Sequence, residues 1–544
     1  MNRFFHYKER GGTLGGEIAA GLGMLFLAVC GIFINMQLIA KLLIYADYSS
    51  SNANQIAYNG NMYALTWFVS MLIACAGSLL IGLVTRLPLV QVGGLSLSTV
   101  LVSMIGIETG LNYYNLLFVC FVSAIVYAIL VTVPGLKDFV FKALPKPVRK
   151  ALPAAAGIFM AWIAIQMTGI VSLGGSKISI YGAGEVMEKG NDTVYLFGAI
   201  PLSDYSYGID QYHPLLLVSG ISVLVTVLLF LIFKQRTKKP FLFSFLGGTV
   251  FFLVVYALTV CVNLTEMKAS LDSLWGRLWM VGSEDAMQTH ISTIIKNIQI
   301  GQIFSTGMDF SAYTEAGGSV TELFAVGILT FLFLNMYDAE ATLSIVAKDV
   351  EENEETVNKQ TKLALICHAA ANIAAPILGA SPVEIGKASI AGSKDGAKSA
   401  LPSVIASAGF LISTFVWVIP FIFGTNYSYN ITFNLYGHNG TVLQLLSETG
   451  FVVADIVMVI IGVTMAIESL EIDWKKTIEA APFIMTVAGT IFLSNLAYGA
   501  ALGTITYVII MFTAKKEEDT IIRTEIPCLV WAAISLVLLI MTVL

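Results

Sequence analysis

Within the apolar run Val320–Val346 stands Asn335-Met336-Tyr337-Asp338-Ala339-Glu340-Ala341-Thr342, with Asp338 well inside it. A charged side chain at such a depth in a bilayer costs about 2.5–3.5 kcal/mol on insertion scales, and chains that keep one generally use it for ions, protons or substrate. The plainer alternative is a carboxylate that only pairs with a neighbouring helix or snorkels to an interface. A second acid, Glu384, lies in the stretch Leu378-Gly379-Ala380-Ser381-Pro382-Val383-Glu384-Ile385-Gly386, and Lys387 comes directly after that stretch. Residues i and i+3 are neighbours on a helix, so Glu384 and Lys387 can meet if the helix has begun by Glu384. An ionised carboxylate accepts two N–H bonds from one edge of a ligand, and one in a partly dry site can also carry a proton.

These residues sit in a chain of 544 residues that is 56% hydrophobic and only 12% charged, with a mean hydropathy of +0.79. Soluble domains carry roughly 25% charged residues, so most of this surface must face something other than water. Candidate spans for a hydrocarbon core of about 30 Å recur along the chain. They are 14–44, 62–84, 95–108, 115–134, 151–172, 214–233, 241–263, 320–346, 362–378, 401–423, 450–467, 481–496, 498–513 and 526–544. The pair 481–496 and 498–513 reads equally as two short helices or one broken span, which leaves the side of Leu544 open. The fold class expected is an all-α polytopic membrane bundle in contact with lipid.

Lys and Arg gather in Arg3/Lys8/Arg10, Lys137–Lys150, Lys234–Lys239, Lys348–Lys362, Lys394/Lys398 and Lys475/Lys476, whereas 45–61 and 424–449 hold neither. The positive-inside rule then puts the amino terminus and the basic loops in the cytoplasm. The first apolar run is too long for a cleavable signal peptide and lacks a small-residue cleavage site. Two longer polar segments, 173–212 and 264–318, read as outside loops, the second with an amphipathic helix near Met287–Ile303. The acidic run Glu351–Glu355 reads as a turn between helices. The six cysteines fall in or beside apolar runs without metal-ligand spacing and read as small core residues, so neither a metal nor a cofactor is expected. No phosphate-binding Gly-x-x-x-x-Gly-Lys-Ser/Thr loop occurs, so energy would come from an ion or substrate gradient. The net charge of −6 says little about partners, and nothing calls for nucleic acid.

Two apolar helices are each preceded by a helix-breaking stretch: Leu87-Pro88-Leu89-Val90-Gln91-Val92-Gly93-Gly94-Leu95-Ser96-Leu97-Ser98, and the Leu378–Gly386 stretch quoted above. Irregular backbone survives in a membrane only where protein or a watery cavity satisfies its polar groups. Such a pair in corresponding halves points to the binding site of a transporter built from inverted repeats.

These pieces together resemble the nucleobase–cation symporter family of xanthine/uracil permeases, in its azaguanine-like branch of hypoxanthine, guanine and adenine permeases. Thr13-x-x-x-Glu17-Ile18-Ala19-Ala20-Gly21 resembles the family's opening motif, and Pro88–Ser98 falls on its Ala-Pro-Gly-Met-Gly-Leu-Asn segment. Lys150–Val171 is similar to the fifth span, and Phe333–Leu343 falls on Phe-Val-Asp-x-Phe-Asp-Thr-x-Gly-Thr-Leu, with Asp338 on the second Asp. Glu384 falls on the Glu of Thr-Tyr-Ile-Glu-Ser, and Ala391-Gly392-Ser393-Lys394-Asp395-Gly396 on Ala-Gly-Gly-Arg-Thr-Gly. Ile472-Asp473-Trp474, Glu479-Ala480-x-Pro482, Thr486 and Ala500-x-x-Gly503-x-x-x-Tyr507 match the carboxy-terminal region.

The resemblance implies about fourteen transmembrane segments in two inverted repeats of seven. It implies a core domain (14–134 and 319–423) moving against a gate domain (148–263 and 449–544). It also implies a purine nucleobase as substrate, a proton or sodium as coupling ion, and the plasma membrane as location. Substrate would lie between the interrupted segments, near Asp338, Glu384, Asn335, Thr342, Ser98, Gly94, Leu95 and Ser381, with Asp338 and Glu384 as the proton-coupling acids. Asn335, Ser98, Lys387 and Glu340 depart from the branch: Asn335 removes one charge, Ser98 shortens a polar contact, and Lys387 and Glu340 are extra charges. Lys387 is expected to pair with Glu384 or Glu340, to face an anionic purine such as xanthine or urate, or to snorkel. The rival class is an anion transporter of the sulfate-permease type, against which the two acids stand. A non-transporting membrane scaffold or receptor is the third class. Oligomeric state is open, a homodimer being one option.

Overall fold

In hydrocarbon every backbone N–H must find its acceptor within the segment, so the long apolar runs become helices. The computed structural model describes residues 2–46, 55–104, 110–133, 135–136, 143–167, 187–189, 192–194, 209–262, 300–414, 432–435, 438–441, 452–493, 495–513 and 518–543. In the first half these form α1 (Leu14–Ala46), α2 (Gln55–Thr85), strand β1 (Gln91–Gly93), α3 (Leu95–Met104), α4 (Tyr113–Thr132), α5 (Lys146–Met167), α6 (Ile209–Arg236) and α7 (Pro240–Val262). The second half gives α8 (Val320–Val350), α9 (Glu354–Ile377), strand β2 (Val383–Ile385), α10 (Ala388–Lys394) and α11 (Leu401–Thr414). After it come α12 (Val452–Glu468), α13 (Thr477–Phe492), α14 (Leu496–Thr513) and α15 (Glu518–Val543).

By length and apolar composition, Leu14–Ile32, Trp67–Thr85, Tyr113–Thr132, Val320–Val350 and Leu496–Thr513 can each cross a membrane, and shorter apolar helices accompany them. The chain is an integral multi-pass membrane protein. The ambiguous stretch near the end holds two helices, α13 and α14, packed against each other. The short α10 falls where the sequence shows only a break between spans. The acidic run Glu351–Glu355 is split: Asn353 caps α9 through its side chain, and Glu354 already belongs to the helix. Most of the polar stretches 173–212 and 264–318, including residues 287–299 of the expected amphipathic helix, lie outside the described residues.

Packing sorts the helices into two groups. Helices α1, α2 and α4 pack with α8, α9 and α11, while α5, α6 and α7 pack with α12, α13 and α14. The α5–α12 crossing is close because Gly157 and Gly462 face each other, and a Cβ on either would collide with the backbone of the other. Helix α15 lies on α14 and α8, where Trp531 Nε1–H donates to the Tyr337 hydroxyl at 2.7 Å and its ring packs tilted against Phe333, centroids 4.8 Å apart. At the end of α10, Lys394 bridges Asp349 of α8 (2.8 Å) and Glu468 of α12 (2.5 Å). Its neighbour Asp395 accepts the backbone N–H groups of Phe241 (3.1 Å) and Leu242 (2.8 Å) at the start of α7. Residues 394–395 therefore tie one helix group to the other.

Candidate functional site

The two helix-breaking stretches find each other. Strands β1 and β2 pair antiparallel, with Gln91 opposite Ile385, Val92 opposite Glu384 and Gly93 opposite Val383. Each strand leads directly into a short helix, α3 or α10. This sheet has two strands, so their outer edges need other partners, and buried hydroxyls and amides provide them. Ser78, Ser389 and Ser403 accept the N–H groups of Gln91 (2.8 Å), Val90 (3.0 Å) and Leu89 (2.8 Å). On β2, Asn372 of α9 accepts the Val383 N–H at 3.0 Å and donates to the Val383 carbonyl at 2.9 Å. His368, one turn earlier, completes the clamp: Nε2–H donates to the Val383 carbonyl (3.0 Å) and Nδ1 accepts from Tyr127 (3.3 Å). Gly93 must be glycine here, since a Cβ would strike the Asn35 amide.

Alternation along the paired strands puts Val92 and Glu384 on one face. That face lines a cleft with about 630 Å³ of empty space, counting its open part. Leu27 and Gly31 of α1, Leu95 and Ser96 of α3, Phe159 and Met160 of α5, and Met458 and Ile461 of α12 close the walls. The cleft thus sits between the two helix groups. Glu384 and Lys387 both reach it.

Asp338, Glu384 and Lys387 are 3%, 8% and 7% exposed, and they form one charged cluster. The Lys387 ammonium is 2.5 Å from Asp338 Oδ2 and 3.6 Å from Glu384 Oε2. The expected pairing with Glu384 is the longer of these two contacts, and the closest acid is Asp338, which helical spacing does not single out. The reason is geometric. Lys387 precedes α10, and α8 crosses directly beside β2, so the lysine reaches back across to α8. Glu340, two positions from Asp338, lies on another face of α8 and is half-buried.

Asn335, Asp338 and Thr342 share a face of α8 by their spacing. Thr342 donates to the Ile385 carbonyl at 3.3 Å, which fixes that face against β2. Asn335 Oδ1, Ser98 Oγ and Glu384 Oε2 are buried without a hydrogen-bond partner among the described residues. The Leu95 N–H at the start of α3 faces the Glu384 carboxylate. Gly94 donates its N–H to the Pro382 carbonyl at 2.8 Å, joining the two breaks. Ser381 accepts from Asn35 Nδ2 at 2.8 Å. The cleft walls therefore include Leu95 and Glu384 from the expected set, while Ser381, Gly94 and Thr342 serve the strand crossing behind them. Sequence reasoning missed Asn35, His368, Asn372 and the Phe159 wall. The polar pair His368 and Asn372, one turn apart inside an apolar helix, was the available signal.

One ammonium between two acids, opening on a cleft between helix groups, suits a protein that carries a polar solute through lipid. The chain is a membrane transport protein. No protein-family model matches it. It is 22% identical over 520 residues to the guanine/hypoxanthine permease PbuG of Bacillus subtilis, covering 95% of this chain and 96% of that protein. It is 19% identical over 517 residues to the guanine/hypoxanthine permease PbuO of the same organism, covering 95% of each. Among solved structures, the transmembrane domain of a cyanobacterial bicarbonate transporter, BicA, aligns with 90% of this chain and 97% of its own, at 12% identity and a TM-score of 0.41. From end to end the chain is thus similar to nucleobase permeases, in keeping with its motifs.

Proposed function

We propose that this protein imports a purine nucleobase by proton symport, through an elevator-type motion of a core domain (14–134 and 319–423) against a gate domain (148–263 and 449–544). The observation that carries the reading is Glu384 beside Lys387 in a cleft between the two helix groups. A purine edge sets an N–H donor beside a C=O or ring-nitrogen acceptor. Glu384 accepts the donor and Lys387 donates to its neighbour, both as charge-assisted bonds. The Phe159 ring supplies an apolar wall for a planar base. The core would comprise α1–α4 and α8–α11 as two inverted halves, which accords with the packing of α1, α2 and α4 on α8, α9 and α11.

With both acids ionised the cluster carries one net negative charge, which disfavours a small free anion and leaves room for a proton. The amino terminus is on the cytoplasmic side of the plasma membrane in this reading, by the Lys and Arg distribution. Thermal-shift screening of the purified protein against nucleobases and small anions, then uptake of each hit, tests the substrate class. Stabilisation by sulfate or bicarbonate but by no nucleobase sinks it. Uptake should rise as external pH falls and collapse with a protonophore. Sodium dependence with indifference to pH removes the proton and spares the rest.

A further inference from the structure

We infer that Lys387 is a built-in cation: its ammonium occupies the place between Asp338 and Glu384 that a free metal cation would otherwise take, so the site works without sodium. This deepens the transport reading above and rests on it for its meaning, although the test does not.

Carboxylates taken out of water require a counter-charge, since desolvating each one costs several kcal/mol otherwise. Asp338 comes from α8 and Glu384 from β2, and both are brought within reach of one point in space, where a single cation can serve both. That point holds the Lys387 nitrogen. The lysine arrives from the residue before α10, where the positive end of a helix gives a cation no stabilisation, so the two acids are what hold it. A further titratable neighbour among the described residues is His368 of α9, close enough to feel the charges of both Asp338 and Lys387, and His368 is engaged by Tyr127 and the Val383 carbonyl. Glu340, the further acid in this part of α8, lies on another face of that helix.

A tethered ammonium differs from a bound ion in one respect. It cannot leave with the substrate or be replenished from either side of the membrane. Glu384, at 3.6 Å, is held less closely than Asp338, and its Oε2 lacks a hydrogen bond, so it remains the acid able to exchange partners with a ligand or a proton. Asp338 is then a positioning residue that fixes the lysine, and Lys387 decides which cations the site accepts.

Purified full-length protein in detergent, without substrate, tests this by thermal unfolding in sodium chloride against N-methylglucamine chloride at equal ionic strength. The wild type and Lys387→Arg should melt at the same temperature in both salts. Lys387→Met leaves the two acids unpaired, so it should melt lower and regain stability in a saturable way with added sodium or lithium, or on acidification. Asp338→Asn/Lys387→Met lacks both the lysine and the acid nearest it. It serves as the folding control and should show no saturable sodium response. A saturable sodium shift in the wild type overturns the inference, and so does a folded Lys387→Met that answers to neither sodium nor acid. If Lys387→Met fails to fold, an indifferent wild type together with a folded, indifferent double variant upholds it. None of these readings needs a nucleobase, so failure of the substrate assignment would show separately.

Discussion

Lys387 sets its ammonium 2.5 Å from Asp338, 49 positions earlier in the chain, and 3.6 Å from Glu384, its neighbour three positions back. The nearer partner comes from a different helix, α8, which packs beside β2. The two acids consequently have different duties: Asp338 holds the lysine, and Glu384 is the one that meets the cleft. Their substitutions should separate.

Asp338→Ala removes the closest counter-charge from a buried ammonium. Breaking a buried pair from one side costs about 3–5 kcal/mol. The variant should melt well below wild type in detergent, and Asp338→Ala/Lys387→Ala should recover much of the loss. A single variant as stable as wild type would show that the pair carries no structural weight.

Glu384→Gln keeps the shape and loses the charge of the acid facing the cleft. A hydrogen bond to a charged group contributes about 1.5–3 kcal/mol, so substrate affinity should fall at least about tenfold. The melting temperature should move much less than for Asp338→Ala. Undiminished uptake by Glu384→Gln would remove Glu384 from the site.

Asp395, in the turn after α10, responds to pH. Burial pushes its carboxyl up to about 7, against the two N–H bonds from Phe241 and Leu242 and the charge of Lys239, which pull it down. In the unfolded chain an aspartate releases its proton near about pH 3.9. The folded state thus holds a proton that the unfolded state has lost, and this contribution is complete below about pH 4 and lost as pH rises through about 7. Asp395→Asn cannot titrate. Its melting temperature should therefore gain on wild type as pH is raised from acid to neutral, and parallel profiles would contradict the assignment.

Gly462→Ala inserts a methyl group into backbone contact with Gly157 at the α5–α12 crossing. Overpacking of a close contact costs about 1–3 kcal/mol. Because Phe159 and Ile461 adjoin the two glycines and line the cleft, uptake should fall along with stability. Normal uptake in a destabilised protein would separate the crossing from the cleft.

Much of this architecture was legible in the sequence. Apolar length announced the spans, and the stretches Leu87–Ser98 and Leu378–Gly386 announced two helix breaks, because irregular backbone amid lipid-length runs has few other uses; that the breaks pair with each other as strands was not legible. The ambiguous region 481–513 was not legible, since two helices of 16 and 18 residues look like one interrupted span when only hydropathy is read. The Lys387–Asp338 pair was hidden for a different reason. Spacing along a helix reveals neighbours within an element, but not which residue of a crossing helix comes nearest. Asn35 was hidden likewise, since its partner Ser381 lies 346 positions away, whereas His368 and Asn372 announced themselves as polar residues in an apolar helix without showing what they bond.

The register of Gln91 against Ile385 also bears on how the protein is made. A ribosome adds about 5–20 residues per second. Strand β1 therefore waits roughly 15–60 s after its synthesis before β2 exists to pair with it, at that same elongation rate. Throughout that interval the N–H groups of Leu89 and Val90 lack the Ser403 and Ser389 hydroxyls that accept them. Whatever escorts the nascent chain must shelter residues 87–94 until Ser403 has emerged, and a chain truncated before β2 should be cleared by quality control rather than accumulate.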